Sequence, residues 1–271
     1  MDHKMASNRF QYLKVFGERN TGTNFLCKLI RDNTDIQVLS HHDNSVPAAR
    51  LSHLESSHFC GTTQQHFESS LRKLILERLI DQQREDEYAE NFGWKHARVS
   101  VDDLQKPERF SSTFFVFLIR NPWRFVSALH RKPYNLFPEP KGDLSDFVDS
   151  SFLANERDRM PSNYIANPVE LWNCKVESYF DCSSRIENSM VCYYEEIVAH
   201  PKAFMNALSC ACNVSPLIRI PAKSTKTDYK TYDDYRQEAL SYDPRRSLGE
   251  NLYFRILEKL DKKVLDKTIY A

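Results

Sequence analysis

Two stretches hold residues whose types and spacing could grip an anion. In "VFGERNTGTNFLCKLI" (residues 15–30), Gly17 and Gly22 stand five apart, the spacing of the phosphate-binding pattern G-x-x-x-x-G-K-[ST]. Thr23 and Asn24 occupy the places of its lysine and its hydroxyl residue, so magnesium-triphosphate chemistry loses its two main grips. What remains is a glycine-framed turn feeding a helix, whose backbone N–H groups and dipole favour negative charge. Thr21, Thr23 and Asn24 add side-chain donors and Arg19 adds a charge. This predicts an anion cradle; the plainer alternative is a strand-to-helix turn that binds nothing. In "FLIRNPWRFVSALHR", Arg120 ends a long apolar run and Ser127 follows two helical turns later. Such an arginine can fork onto a phosphate, with the serine completing the grip; otherwise it is a surface arginine before a helix.

The elements that must carry these groups can be read from apolar patterning. "FQYLKVF" has the content of a short buried strand, and "NFLCKLIRDN" reads as a helix with Phe25, Leu26, Leu29 and Ile30 on one face. "DIQVLS" is a second strand, residues 41–65 a long histidine-rich loop, and residues 67–92 an amphipathic helix. "FGWKHARV" reads as a third strand. "STFFVFLIRNP" is apolar without alternation, as a strand covered on both faces should be. Pro122 opens the next helix. "NPVELWNCKVESYFDCSS" is a helix, "NSMVCYYEEI" a last strand and "PKAFMNALSCAC" a helix. Residues 215–243 show no period, and "PRRSLGENLYFRILEKLDKKV" closes the chain as one helix. Strands alternating with helices predict a single α/β domain over residues 10–271, after a short tail at 1–9: a parallel sheet with helices on both faces. In such sheets ligands sit beyond the carboxyl ends of the strands.

Composition narrows the function classes. Thirty-seven basic and thirty-seven acidic side chains cancel in a chain of 271 residues, so nothing global argues for nucleic acid or an anionic membrane. No run approaches the roughly 18 apolar residues of a membrane helix, and the start has no signal-peptide pattern. The seven cysteines show no framework spacing, and several sit in apolar runs, which fits reduced thiols and a cytoplasmic protein. His53, His58, Cys60 and His66 match no common metal spacing; no metal is expected.

"KVFGERNTGTNFL", "FLIRNPWRFVSALHRKPY" and "MVCYYEEIVAHP" together resemble the sulfotransferases that use 3′-phosphoadenosine 5′-phosphosulfate (PAPS). More closely they resemble a bacterial-type group of that superfamily, with a GERNTGTNFL-like loop and a WKH segment. The resemblance implies a P-loop-like parallel α/β sheet, and a sulfuryl transfer from PAPS to a hydroxyl or amine of a small molecule or glycan. It places the phosphosulfate on Arg19, Asn20, Thr21, Gly22, Thr23 and Asn24, with Phe25 stacked on adenine. It places the 3′-phosphate on Arg120 and Ser127, and Tyr194 near the adenine or, equally, in the core. The family's loop lysine falls at Asn20, so Arg19 or Lys95 must supply its charge. Ser127 comes seven rather than eight residues after its arginine, a shift of about 100° around a helix. Lys223, Lys226, Arg245 and Arg246 are loose candidates for a late clamp on the 3′-phosphate.

Sulfuryl transfer also requires a group to take the acceptor's proton. Lys95 and His96 stand at a predicted strand end on the correct rim, with side chains on opposite faces. His41, His42 and Asp43, in "SHHDN", are rivals after the second strand. Two other functions stay open at this stage: a nucleotide- or anion-binding protein of the same fold without turnover, and an unusual P-loop kinase.

Overall fold

The computed structural model describes residues 9–39, 90–133, 136–138, 142–215, 218–221 and 230–271. Four parallel strands form the sheet: β1 (Tyr12–Gly17), β2 (Gln37–Leu39), β3 (Thr113–Ile119) and β6 (Ser189–Tyr193), in the order β2-β1-β3-β6. A small antiparallel pair, β4 (Phe152–Leu153) and β5 (Tyr164–Ile165), lies apart. All seven residues of β3 are buried, and their alternation explains the unbroken apolar run. Phe115, Phe117 and Ile119 enter one core, and Phe114, Val116 and Leu118 enter the other.

The first core is closed by α3 (Pro122–Arg131), α4 (Leu144–Asp149) and α5 (Pro168–Arg185), the second by α1 (Thr23–Arg31), α6 (Tyr194–Ala199) and α7 (Pro201–Cys212). Burying one such phenylalanine is worth about 1.5–3 kcal/mol, so β3 alone anchors both layers. From β1 the chain passes through α1 to β2 on one side, then returns to β3 on the other. The connections after β1 and β3 therefore leave by opposite faces of adjacent strands. This is the topological switch point, where a crevice must open.

The fold class is as expected, and three local expectations are corrected. "FGWKHARV" forms no strand. Phe92 and Gly93 take positive φ (63° and 78°), and the carbonyls of Asn91 and Gly93 accept from Lys14 Nζ at 2.5 and 2.6 Å instead of joining a ladder. The C-terminal helix is broken into α9 (Pro244–Leu248), α10 (Glu250–Lys259) and α11 (Lys262–Leu265), with Gly249 at φ 77° in the first break. Within the aperiodic 215–243 stretch lies α8 (Tyr232–Leu240), capped by Thr231 and burying none of its residues. One short helix, α2 (Val101–Gln105), precedes β3. The helix expected over 67–92 and the histidine-rich loop lie almost wholly outside the described residues, as do residues 1–8 of the expected tail.

Candidate active site

The loop after β1 is shaped by close approach. A Cβ on Gly17 would meet Leu118 O at 2.9 Å, and a Cβ on Gly22 would stand 2.4 Å from the Tyr194 ring. Gly22 also has φ 88°, so only glycine passes beneath that ring without strain. It forms the N-cap of α1 with no side chain capping the helix among the described residues. The first turn of α1 has no acidic residue, while Lys28 and Arg31 occupy the last. The helix N-terminus is thus left for an external anion.

The WKH segment sits against this loop, not at a strand end. Gly17 N–H donates to Lys95 O at 2.9 Å, and His96 Nδ1 lies 2.5 Å from Gly17 O. A carbonyl can only accept, so Nδ1 carries the proton and Nε2 keeps its lone pair. Burial, and then the charge of Lys95, hold His96 well below the usual imidazole range; it is neutral at pH 7. Lys95 Nζ donates to Asn24 Oδ1 at 2.6 Å, on the second residue of α1. Burial lowers its ammonium from the ordinary value. Lys95 and His96 therefore converge on the loop, and the opposite-faces expectation falls with the strand that required it.

Arg19 is where the structure departs most from the expectation. Its guanidinium is 1% exposed. It donates to Asp158 through two nitrogens at 2.7 and 2.6 Å and to Glu18 at 2.8 Å, and it lies 4.6 Å over the Trp94 ring. Its charge is neutralised underneath the loop and does not line the cradle. Thr21 likewise turns inward, giving its hydroxyl hydrogen to Glu18 O at 2.5 Å, and Thr23 is 4% exposed. Asn20 takes φ 60°, a conformation asparagine tolerates, and its amide donates to Lys132 O at 3.0 Å.

Arg120 extends from β3 back to the same loop, where Nη1 donates to Asn20 O. Its guanidinium lies 4.7 Å over the Tyr194 ring, so Tyr194 is held between Arg120 and Gly22. Arg120 Nε is buried without a partner. Burial, and among its neighbours the guanidinium charges of Arg124 and Arg131, weigh against its ionisation, a strain that an anion would relieve. Ser127 gives its hydrogen to Trp123 O at 2.9 Å, so the expected Arg120–Ser127 pair offers one free donor group, not two. Phe25 faces Tyr232 of α8, with centroids 6.1 Å apart and rings 14° from parallel.

Arg245 of the late candidates lies 4.9 Å over Tyr253, and Arg246 N–H is capped by Asp243. His41, His42, Asp43, His53, His58, Cys60, His66, Lys223 and Lys226 lie outside the described residues. Among the described residues no cluster of three or more His, Cys, Asp or Glu could hold a metal, and no helix is long and apolar enough to cross a membrane. Sequence reasoning missed Glu18, Asp158 and Lys175 beneath the loop, together with Trp94 and Tyr232. Tyr232 stood in a Tyr/Asp/Lys-rich stretch without period, and Asp158 in the unpatterned "NERDRM".

No family model matches the chain. No curated protein matches it either. Solved structures similar to it include two sulfotransferase domains. One is the sulfotransferase domain of the olefin synthase of Synechococcus PCC 7002, at 11% identity over 92% of both chains, with a TM-score of 0.45. The other is the sulfotransferase domain from the curacin biosynthetic pathway, at 12% identity over 92% of this chain and 96% of that one, with a TM-score of 0.40.

Proposed function

We propose that the chain is a PAPS-dependent sulfotransferase acting on a hydroxyl or amine of a small-molecule or glycan acceptor. One observation carries this reading: Arg120 reaches the loop at Asn20 O while Lys95 reaches it at Asn24. Two cations from segments distant in sequence thus flank one uncapped helix N-terminus at the switch point. The donor's fit rests on that N-terminus and on the partnerless Arg120 Nε. Arg120 would hold the 3′-phosphate, the α1 amides and Lys95 the phosphosulfate, and Phe25 with Tyr232 the adenine.

PAPS would supply an activated sulfuryl group. Around it, His96 Nε2 accepts the proton of the acceptor as the acceptor's oxygen or nitrogen bonds to sulfur. Lys95 and the α1 amides stabilise the charge left on the phosphate oxygen as its bond to sulfur breaks, a role in which one preorganised donor is worth about 10²–10³ in rate. The products are the sulfated acceptor and adenosine 3′,5′-bisphosphate, with the proton on His96. Lys95, rather than Arg19, takes the place of the absent loop lysine.

Labelled PAPS with a panel of hydroxyl and amine acceptors, beside thermal-shift titrations with the bisphosphate and with magnesium-ATP, tests this directly. Transfer of label with stabilisation by the bisphosphate supports it; stronger stabilisation by magnesium-ATP would point to a kinase, and no binding would defeat it. A second reading, a nucleotide-binding protein of this fold without turnover, draws on Asn20 at the lysine position and on the internal commitment of Arg19. Binding without transfer would favour it.

A further inference from the structure

Four ionised groups lie sealed under the loop. Glu18, Arg19, Asp158 and Lys175 are each at most 3% exposed, two negative and two positive. Lys175 stands on α5, an 18-residue helix, and its Nζ reaches three separate pieces of chain. It lies 2.5 Å from Asp158 Oδ1, contacts Glu18 Oε2, and donates to His96 O at 2.6 Å. Two of those contacts are hydrogen bonds, to His96 O and Asp158 Oδ1, and the third is an ion pair with Glu18.

As a source of stability such a cluster is weak, because removing the charges from water offsets their attraction. Well-packed apolar side chains would hold this core as firmly. They could not bond a loop entrance, a turn and the main chain of a histidine to one atom. His96 is thereby gripped twice, its ring on Gly17 O and its backbone on Lys175 Nζ. Both grips lead to the segment Gly17–Arg19.

We propose that Lys175 is a positioning residue for the transfer, holding His96 and the entrance of the phosphosulfate loop at one separation. This rests on His96 being the base. The charged groups around His96 are Lys95 on its own segment, Arg19 from the loop after β1 and Lys175 from α5. Glu18 and Asp158 stand behind the last two.

The test uses the double variant Lys175→Met/Glu18→Gln, which keeps the Arg19–Asp158 pair and the charge balance. Three readouts are needed: ¹⁵N spectra of the His96 ring against pH in the ligand-free protein, the Kd for adenosine 3′,5′-bisphosphate, and kcat. The expected result is a Kd little changed, a kcat lower by about 10²-fold, the loss typical of a reacting group displaced by about 1 Å, and a ring that loses its single Nδ1–H tautomer. An unchanged ring or an unchanged kcat overturns the proposal. Should the double variant not fold, Lys175→Arg keeps the charge, alters its reach, and is read in the same way. If the parent itself neither binds the bisphosphate nor turns over, the transferase reading fails, while the ring spectra still report whether Lys175 sets His96.

Discussion

Two arginines follow the ends of neighbouring strands and have opposite fates. Gly17 of β1 pairs with Leu118 of β3, and Arg19 and Arg120 each follow two residues beyond that pair, past the ends of their strands. Arg19 turns under the loop and is neutralised by Asp158 and Glu18. Arg120 has no carboxylate within ion-pair distance among the described residues; it bonds a carbonyl, stacks on a tyrosine and leaves Nε without a partner. Carboxylates meet the buried charge of Arg19, and among the described residues none meets that of Arg120, which makes Arg120 the candidate for an external anion. Position alone does not distinguish the two; partners do.

The sharpest way to break this contrast is Arg19→Met. It leaves Glu18 and Asp158 buried with Lys175 as the remaining cation, so stability should fall by about 3–5 kcal/mol, read from urea midpoints. A loss below about 1 kcal/mol would mean the cluster is not a buried unit. Arg120→Ala should do the reverse. Its stability change stays near 1 kcal/mol, while affinity for adenosine 3′,5′-bisphosphate drops about 10- to 100-fold, the worth of a charge-assisted hydrogen bond. Calorimetric titration of the variant checks it.

Gly22→Ala probes the surface between the two regions. The added methyl group meets Tyr194 and the backbone must keep φ 88°, so about 1–2 kcal/mol of stability should be lost. Tyr194→Leu in the same chain should recover the part due to the ring. Equal losses in both backgrounds would assign the whole cost to the backbone.

Lys14 sharpens the comparison from a third side. It is fully buried, with two carbonyls and, among the described residues, no carboxylate, and burial brings its ammonium down to about 7 from an ordinary 10.5. A neutral amine has two hydrogens for those two carbonyls. Between pH 7 and 10.5 the unfolded chain keeps this proton and the folded chain releases it, so stability rises with pH there; below pH 7 both states hold it and the slope vanishes. Relative to Lys14→Met, the parent should gain roughly 1.4 kcal/mol per pH unit at most across that window. Parallel pH profiles would show that Lys14 stays charged.

Much of the frame was legible in the sequence for local reasons. β3 announced itself because both of its faces are covered, Pro122 because it opens α3, and the loop because Gly17 and Gly22 bracket it. What escaped depends on contacts between distant segments. Arg19 meets Asp158 139 residues later, and Lys175 meets His96 79 residues earlier; no pattern within a window records either. The 91–97 segment has strand-like residues but spends its carbonyls on Lys14 and on Gly17 N–H. α8 buries no residue fully and only packs Tyr232, Tyr235 and Ala239 partly against the core, so it had little apolar period to display. Gly249 was the available signal for the break between α9 and α10.

The contrast between the two arginines is tested most directly by titrating adenosine 3′,5′-bisphosphate and adenosine 5′-monophosphate against the parent, Arg120→Ala and Arg120→Lys. If Arg120 holds the 3′-phosphate, the alanine variant loses affinity for the bisphosphate alone, the monophosphate binds all three alike, and lysine restores part of the loss. Equal weakening of both nucleotides, or no binding of either by the parent, would contradict the account.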